Sequence, residues 1–185
     1  MAHTNLNDKR ILIVATDGYD RSELRFPLDE LKKLGADVIV ASLNKNPIKS
    51  WDKKDWGDSV DIDIVLKDVS IDEFDGLVLP GGQINPDVLR TKVEVISLIQ
   101  GFHKSSKIVA AICHAPWLLI EAGLAKDCKM TSYNSIKTDV MNAGGVWGDS
   151  EVVVDNKIIT SRNPDDLRAF VDTIAKEISR KSDDK

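Results

Sequence analysis

Cysteine is scarce in this chain, with only Cys113 and Cys128 among 185 residues. Two thiols build no disulfide framework, so a reducing compartment, the cytoplasm, is the expected home. Histidine is nearly as rare, and His3, His103 and His114 form no pair at metal-ligand spacing. No metal is expected. Long apolar runs are missing too, because Lys or Asp interrupts each one, and no membrane-spanning segment is expected. Residues 1–10 are polar and lead straight into a strand, which gives no secretory apolar region. No basic block stands out, and the net charge of −5 argues against nucleic acid as the main partner. A G-x-G-x-x-G fingerprint and a phosphate-loop lysine are both absent, so no nucleotide cofactor is expected. Without internal repeats or a linker, the chain reads as one domain over 1–185, with 1–9 and 180–185 as frayed tails.

What is present is ordinary for a globular protein, 42% hydrophobic and 30% charged residues, and the length supports a sizeable core. Apolar runs at 10–15, 37–42, 76–80 and 108–112 read as strands, most of them buried on both faces. The alternation in 60–66 reads as a half-exposed strand, and 43–59 as a polar surface excursion. Helical spacing predicts helices over 22–34 (capped by Ser22, with Pro27 near the first turn), 87–103, 117–122, 136–143 and 165–179. A short strand is expected at 129–133. Segments 151–154 and 157–161 flank Asp155-Asn156, a hairpin turn. Strands alternating with helices give an α/β class with a mostly parallel sheet covered on both faces.

The chain is organised around I-V-A-A-I-C-H-A-P-W at 108–117. Its strand stops at Cys113, and Pro116 suits the first turn of a following helix. Ala111 and Ala115, two residues to either side, are small enough for a sharp nucleophile elbow. A thiol facing a helix N-terminus is expected to favour thiolate. Spacing alone leaves Cys113 equally readable as a small buried hydrophobe. In doubly wound sheets, sites form beyond the carboxyl ends of the strands. Three turns should converge there: the one before Glu23, Gly81-Gly82, and Cys113-His114. Glu23, in a first helical turn, could take or share the thiol proton, or be an ordinary solvated glutamate. Gly81-Gly82 could expose N–H groups that, with that of His114, hold an oxyanion, or could merely turn the chain. Adjacent side chains at a turn diverge, so His114 is not expected to reach the thiol easily. It could act on substrate if a carboxylate such as Asp87 orients it. Tyr133 could place a phenol beside the same pocket or serve packing. Cys128, in a charged stretch without an obvious partner, reads as incidental.

At A-I-C-H-A-P the sequence resembles the PfpI family of intracellular cysteine peptidases and protein deglycases, within the class I glutamine amidotransferase-like superfamily. The likeness extends through I-L-I-V-A-T-D, L-V-L-P-G-G, T-S-Y, M-N-A-G-G-V-W, E-V-V-V-D and S-R-N-P-D-D-L. It implies a flavodoxin-like three-layer sandwich and a cofactor-independent enzyme whose nucleophile is Cys113. Glu23 falls on the family's helix-start glutamate, Asp20 on an additional acidic position, Gly82 on the oxyanion glycine, and Tyr133 on the T-S-Y tyrosine. Asp87 falls where a carboxylate from a neighbouring subunit orients the histidine, which implies a homo-oligomer, dimer or hexamer. The loop G-G-Q-I-N-P-D is one residue longer than in many relatives and carries Asp in place of Glu. The implied substrates are a small aldehyde such as methylglyoxal, a glycated protein, or a peptide. The other reading is a redox-sensing or chaperone-like stress protein in which Cys113 is oxidised.

Overall fold

Five residues at 10–14 that prefer extended backbone start the sheet, and parallel neighbours are laid on either side of them. The computed structural model describes residues 4–180. In chain order its first elements are β1 (Arg10–Val14), β2 (Tyr19–Asp20), α1 (Arg21–Lys33), β3 (Asp37–Ser42), β4 (Ile48–Asp52), β5 (Asp55–Val60), β6 (Ile64–Val65) and β7 (Gly76–Leu79). The middle of the chain holds α2 (Ile84–Leu89), α3 (Val93–Lys104), β8 (Ile108–Ile112) and α4 (Pro116–Glu121). The last elements are β9 (Lys129–Met130), α5 (Lys137–Asn142), β10 (Val146–Trp147), β11 (Val152–Asp155), β12 (Ile158–Ser161) and α6 (Leu167–Ser179).

The main sheet runs β11-β12-β8-β7-β1-β3-β6 and is parallel except at β11. Side chains alternate across it. Ile11, Ile13, Ala110 and Ile112 enter one core with Leu24 and Leu31 of α1 and Phe170 and Ile174 of α6. Leu12, Val14, Val109 and Ala111 enter the other, with Ile99 and Phe102 of α3 and Leu118 of α4. Helices therefore cover both faces, as in the flavodoxin-like sandwich the sequence led us to expect. Among the described residues no helix is long and apolar enough to cross a membrane. Residues 1–3 and 181–185, most of the expected tails, lie outside the described residues. Leu6, in the expected N-terminal tail, is buried, and its amide donates to Leu34.

Several local expectations change. Asp20, rather than Ser22, caps α1, accepting from the amides of Ser22 and Glu23. Pro27 lies inside that helix, beyond its first turn. The expected helix over 87–103 is two helices, broken where Thr91 Oγ1 donates back to the Val88 carbonyl and Lys92 is extended. The excursion at 43–59 contains the antiparallel pair β4–β5, with Trp51 and Trp56 edge to face across it at 5.5 Å. Asp58 on β5 accepts from Arg21 and Arg25 of α1, which fastens this hairpin beside β2. The strand expected over 60–66 shrinks to β6, because Asp63 turns its carboxylate onto the Val40 amide. The β11–β12 turn sits one residue later than expected, at Asn156-Lys157, both at positive φ.

Candidate active site

Parallel strands bring the ends of β1, β7 and β8 to one edge of the sheet, and Cys113 follows the last residue of β8. Its φ is +65°, a backbone region that L residues visit at a penalty of about 1–2 kcal/mol. Two hydrogen bonds hold it there: its amide donates to Ser161 of β12 at 3.0 Å, and its carbonyl accepts from Tyr133 at 2.8 Å. Ala111 and Ala115 are fully buried at either side, and Pro116 opens α4. The elbow thus forms where the small residues allow it.

Glu23, in the first turn of α1, is completely buried. Its Oε2 accepts from the Gly81 amide at 2.8 Å, while Oε1 is buried with no hydrogen-bond partner among the described residues. Burial, reinforced by the charge of Asp20, pushes the Glu23 carboxyl up to about 8. It therefore carries its proton at neutral pH. Burial and then the Glu23 charge push the Cys113 thiol up as well, against the amides of Gly82 and His114, which favour thiolate. This corrects the expectation of a resting thiolate: α4 is only six residues long, and its dipole does not outweigh 6% exposure beside a carboxyl group.

His114 does reach the thiol of its own neighbour. The positive φ at Cys113 turns the two side chains together, with Sγ 3.1 Å from Nδ1. Its Nε2 lies 3.1 Å from Ser135 Oγ, a partner that the sequence reasoning missed. Ser135 stands two residues after Tyr133, and that spacing was its only signal. Tyr133 stacks on the imidazole at 4.7 Å, and Trp117 meets it edge-on at 5.4 Å. Burial lowers the His114 pKa, so the ring is neutral. At rest the cysteine, glutamate and histidine are all uncharged.

The two glycines permit the close approach. A Cβ on Gly81 would lie 2.5 Å from Glu23 Oε2 and 2.8 Å from Cys113 Cβ. Gly82 has φ +78°, and a Cβ there would lie 2.7 Å from the Gly18 carbonyl oxygen. The Gly82 and His114 amides favour the thiolate form of Cys113, and neither donates to a backbone carbonyl among the described residues. Asp20 caps α1, and its amide donates to the Gly81 carbonyl at 3.3 Å. Asp87 is exposed on α2 and makes no hydrogen bond or ion pair among the described residues; within one chain it does not meet His114. Cys128 is buried in the core under α4, with its sulfur donating to Lys129 O at 3.5 Å, rather than lying in a charged loop. Among the described residues no group of His, Cys, Asp or Glu could hold a metal ion.

The model of the DJ-1/PfpI family matches residues 9–177. The chain belongs to the DJ-1/PfpI family. Protein/nucleic acid deglycase 2 of Escherichia coli is 42% identical to this family member over 163 residues, 88% of this chain and 93% of that protein. YraA of Bacillus subtilis, provisionally named a cysteine protease, is 38% identical over 162 residues, 88% of this chain and 94% of that one. Among solved structures, Drosophila melanogaster DJ-1beta superimposes with a TM-score of 0.85 at 32% identity, covering 94% of this chain and 92% of that one. The PfpI resemblance seen in the sequence motifs thus holds across nearly the whole molecule, within the wider DJ-1/PfpI family.

Proposed function

We propose that this DJ-1/PfpI protein is a cofactor-independent cysteine hydrolase acting on reactive carbonyls, with Cys113 as nucleophile. The observation that carries this reading is the Cys113 Sγ–His114 Nδ1 contact at 3.1 Å, beside two amides free to hold an oxyanion. Because the thiol rests protonated, its proton passes to His114 as sulfur attacks, rather than beforehand.

For methylglyoxal the steps balance without a co-reactant other than water. Sulfur bonds the aldehyde carbon, and the electron pair moves to oxygen, held by the Gly82 and His114 amides. That oxygen takes a proton, giving a hemithioacetal. His114, neutral again, then removes the proton from the sulfur-bearing carbon and delivers it to the neighbouring carbon, while the hydroxyl proton passes to that carbon's oxygen, giving a thioester of lactate. Water cleaves the carbon–sulfur bond, releasing lactate and restoring the thiol. An adduct on a protein amine enters the same sequence once its carbon–nitrogen bond breaks and the amine leaves protonated. A peptide carbonyl offers the same electrophile, but a thiol with 6% exposure favours a small aldehyde or a flexible adduct over a folded substrate.

Asp87 is exposed and unpaired among the described residues, which supports its delivery to His114 of a second copy in a homo-oligomer, and two free cysteines suit a reducing compartment, the cytoplasm. A fully active particle with the mass of one chain, measured by light scattering, would remove that part of the reading. The functional test is lactate formation from methylglyoxal. Wild type is expected to produce it, and Cys113→Ser to fall to background. If wild type consumes neither methylglyoxal nor small peptides, the redox-sensing reading replaces the enzyme.

A further inference from the structure

Beneath the glycine loop lies a side chain that the chemistry above does not use. Asn85, at the second position of α2, is completely buried. Its Oδ1 accepts from the Thr16 amide at 2.8 Å. Its Nδ2 donates to the Pro80 carbonyl at 2.9 Å and to the Gly81 carbonyl at 3.3 Å. One amide side chain therefore joins the loop that leaves β1 to the loop that leaves β7. A buried backbone group without a partner is expensive, and among the described residues neither Thr16 N–H nor Pro80 C=O has another backbone partner at this edge of the sheet.

These bonds account for both polar groups of Gly81. Its N–H goes to Glu23, and its C=O is shared by Asn85 and the Asp20 amide. The next amide, Gly82 N–H, donates to no backbone carbonyl among the described residues, and it follows Gly81, on which a Cβ would lie 2.8 Å from Cys113 Cβ. The neighbouring Ile84 packs so closely on the 16–20 turn that a Cβ on Gly18 would lie 2.4 Å from it. The two loops are thus fitted to each other at Gly18–Ile84 and hydrogen-bonded at Thr16–Asn85.

We infer that Asn85 is the positioning residue of the oxyanion site: it sets the Gly82 amide against the reacting carbonyl by locking the β7 loop to the β1 loop. This rests on the carbonyl-hydrolase reading. Asn85→Asp keeps the shape and the acceptor for Thr16, but turns an oxygen toward the Pro80 and Gly81 carbonyls. Asn85→Ala removes both ends and serves as the second variant if a buried charge unfolds the first.

With methylglyoxal the expected result is a fall in kcat of about 100-fold with KM changed by less than about 3-fold, as for loss of an oxyanion donor. Alkylation of Cys113 by iodoacetamide, which develops no oxyanion, should change by less than about 5-fold in the same variants. Amide exchange should accelerate at residues 81–85 and 16–18, leaving β8 unchanged. Turnover and alkylation falling in equal proportion would overturn the inference, as would wild-type kcat in a folded variant. Should wild type turn over no carbonyl at all, the functional reading fails, and amide exchange alone decides whether Asn85 holds the loop. Unchanged exchange at Gly81 and Gly82 would then overturn it.

Discussion

A carboxyl group sealed from water keeps its proton to higher pH, and for Glu23 the shift runs from 4.5 to about 8. The folded chain holds this proton over a range where the unfolded chain has lost it, so folding takes up a proton. The stabilising contribution is full below about 4.5 and is lost as the pH rises through about 8, at about 1.4 kcal/mol per pH unit within the window. Glu23→Gln has no such proton to lose, and its melting temperature should gain on wild type as pH rises across that window. A gap independent of pH would contradict the assignment. The same substitution removes the charge that opposes thiolate, so the iodoacetamide rate profile of Cys113 should move to lower pH. An unmoved profile takes Glu23 out of the site. Beside it, Gly82→Ala places a Cβ 2.7 Å from one backbone atom and 2.8 Å from another at positive φ. The expected loss is about 1–3 kcal/mol in urea unfolding, together with turnover, and a wild-type midpoint would contradict this.

Elements were legible where their reason is local. The strand runs at 10–14, 76–79 and 108–112 carry their own apolar, extended pattern, and Pro116 marks the start of α4. The α2–α3 break was not legible, because apolar spacing continues across it while Thr91 and Lys92 turn the chain. Nor was the β4–β5 hairpin, whose support is tertiary: the Trp51–Trp56 pair and the hold of Arg21 and Arg25 on Asp58. At this scale α6 closes one face of the sheet through Phe170, which is completely buried. Phe170→Ala should lower stability by about 3–5 kcal/mol in chemical unfolding, and a loss under about 1 kcal/mol would mean that the helix is not part of the cooperative core.

Across the whole molecule, parallel strand order does the assembling. It puts the ends of β1, β7 and β8 side by side, so Glu23, Gly81, Gly82 and Cys113 meet although they are spread over ninety residues of chain. That meeting was readable from the alternation of strands and helices together with the elbow motif. The contact between Cys113 and His114 was not, since it depends on one left-handed backbone angle that no residue type announces. Ser135 behind the imidazole and Asn85 beneath the glycines were hidden for a similar reason: each acts through distances set by the tertiary fold. The buried, uncharged cluster that results is suited to carbonyl addition, with one sulfur at its centre. The most direct test is to alkylate Cys113 partially, measure the modified fraction by mass spectrometry, and assay methylglyoxal turnover on the same sample. The account predicts that remaining activity equals the unmodified fraction of Cys113; full turnover from protein fully alkylated at Cys113 would contradict it.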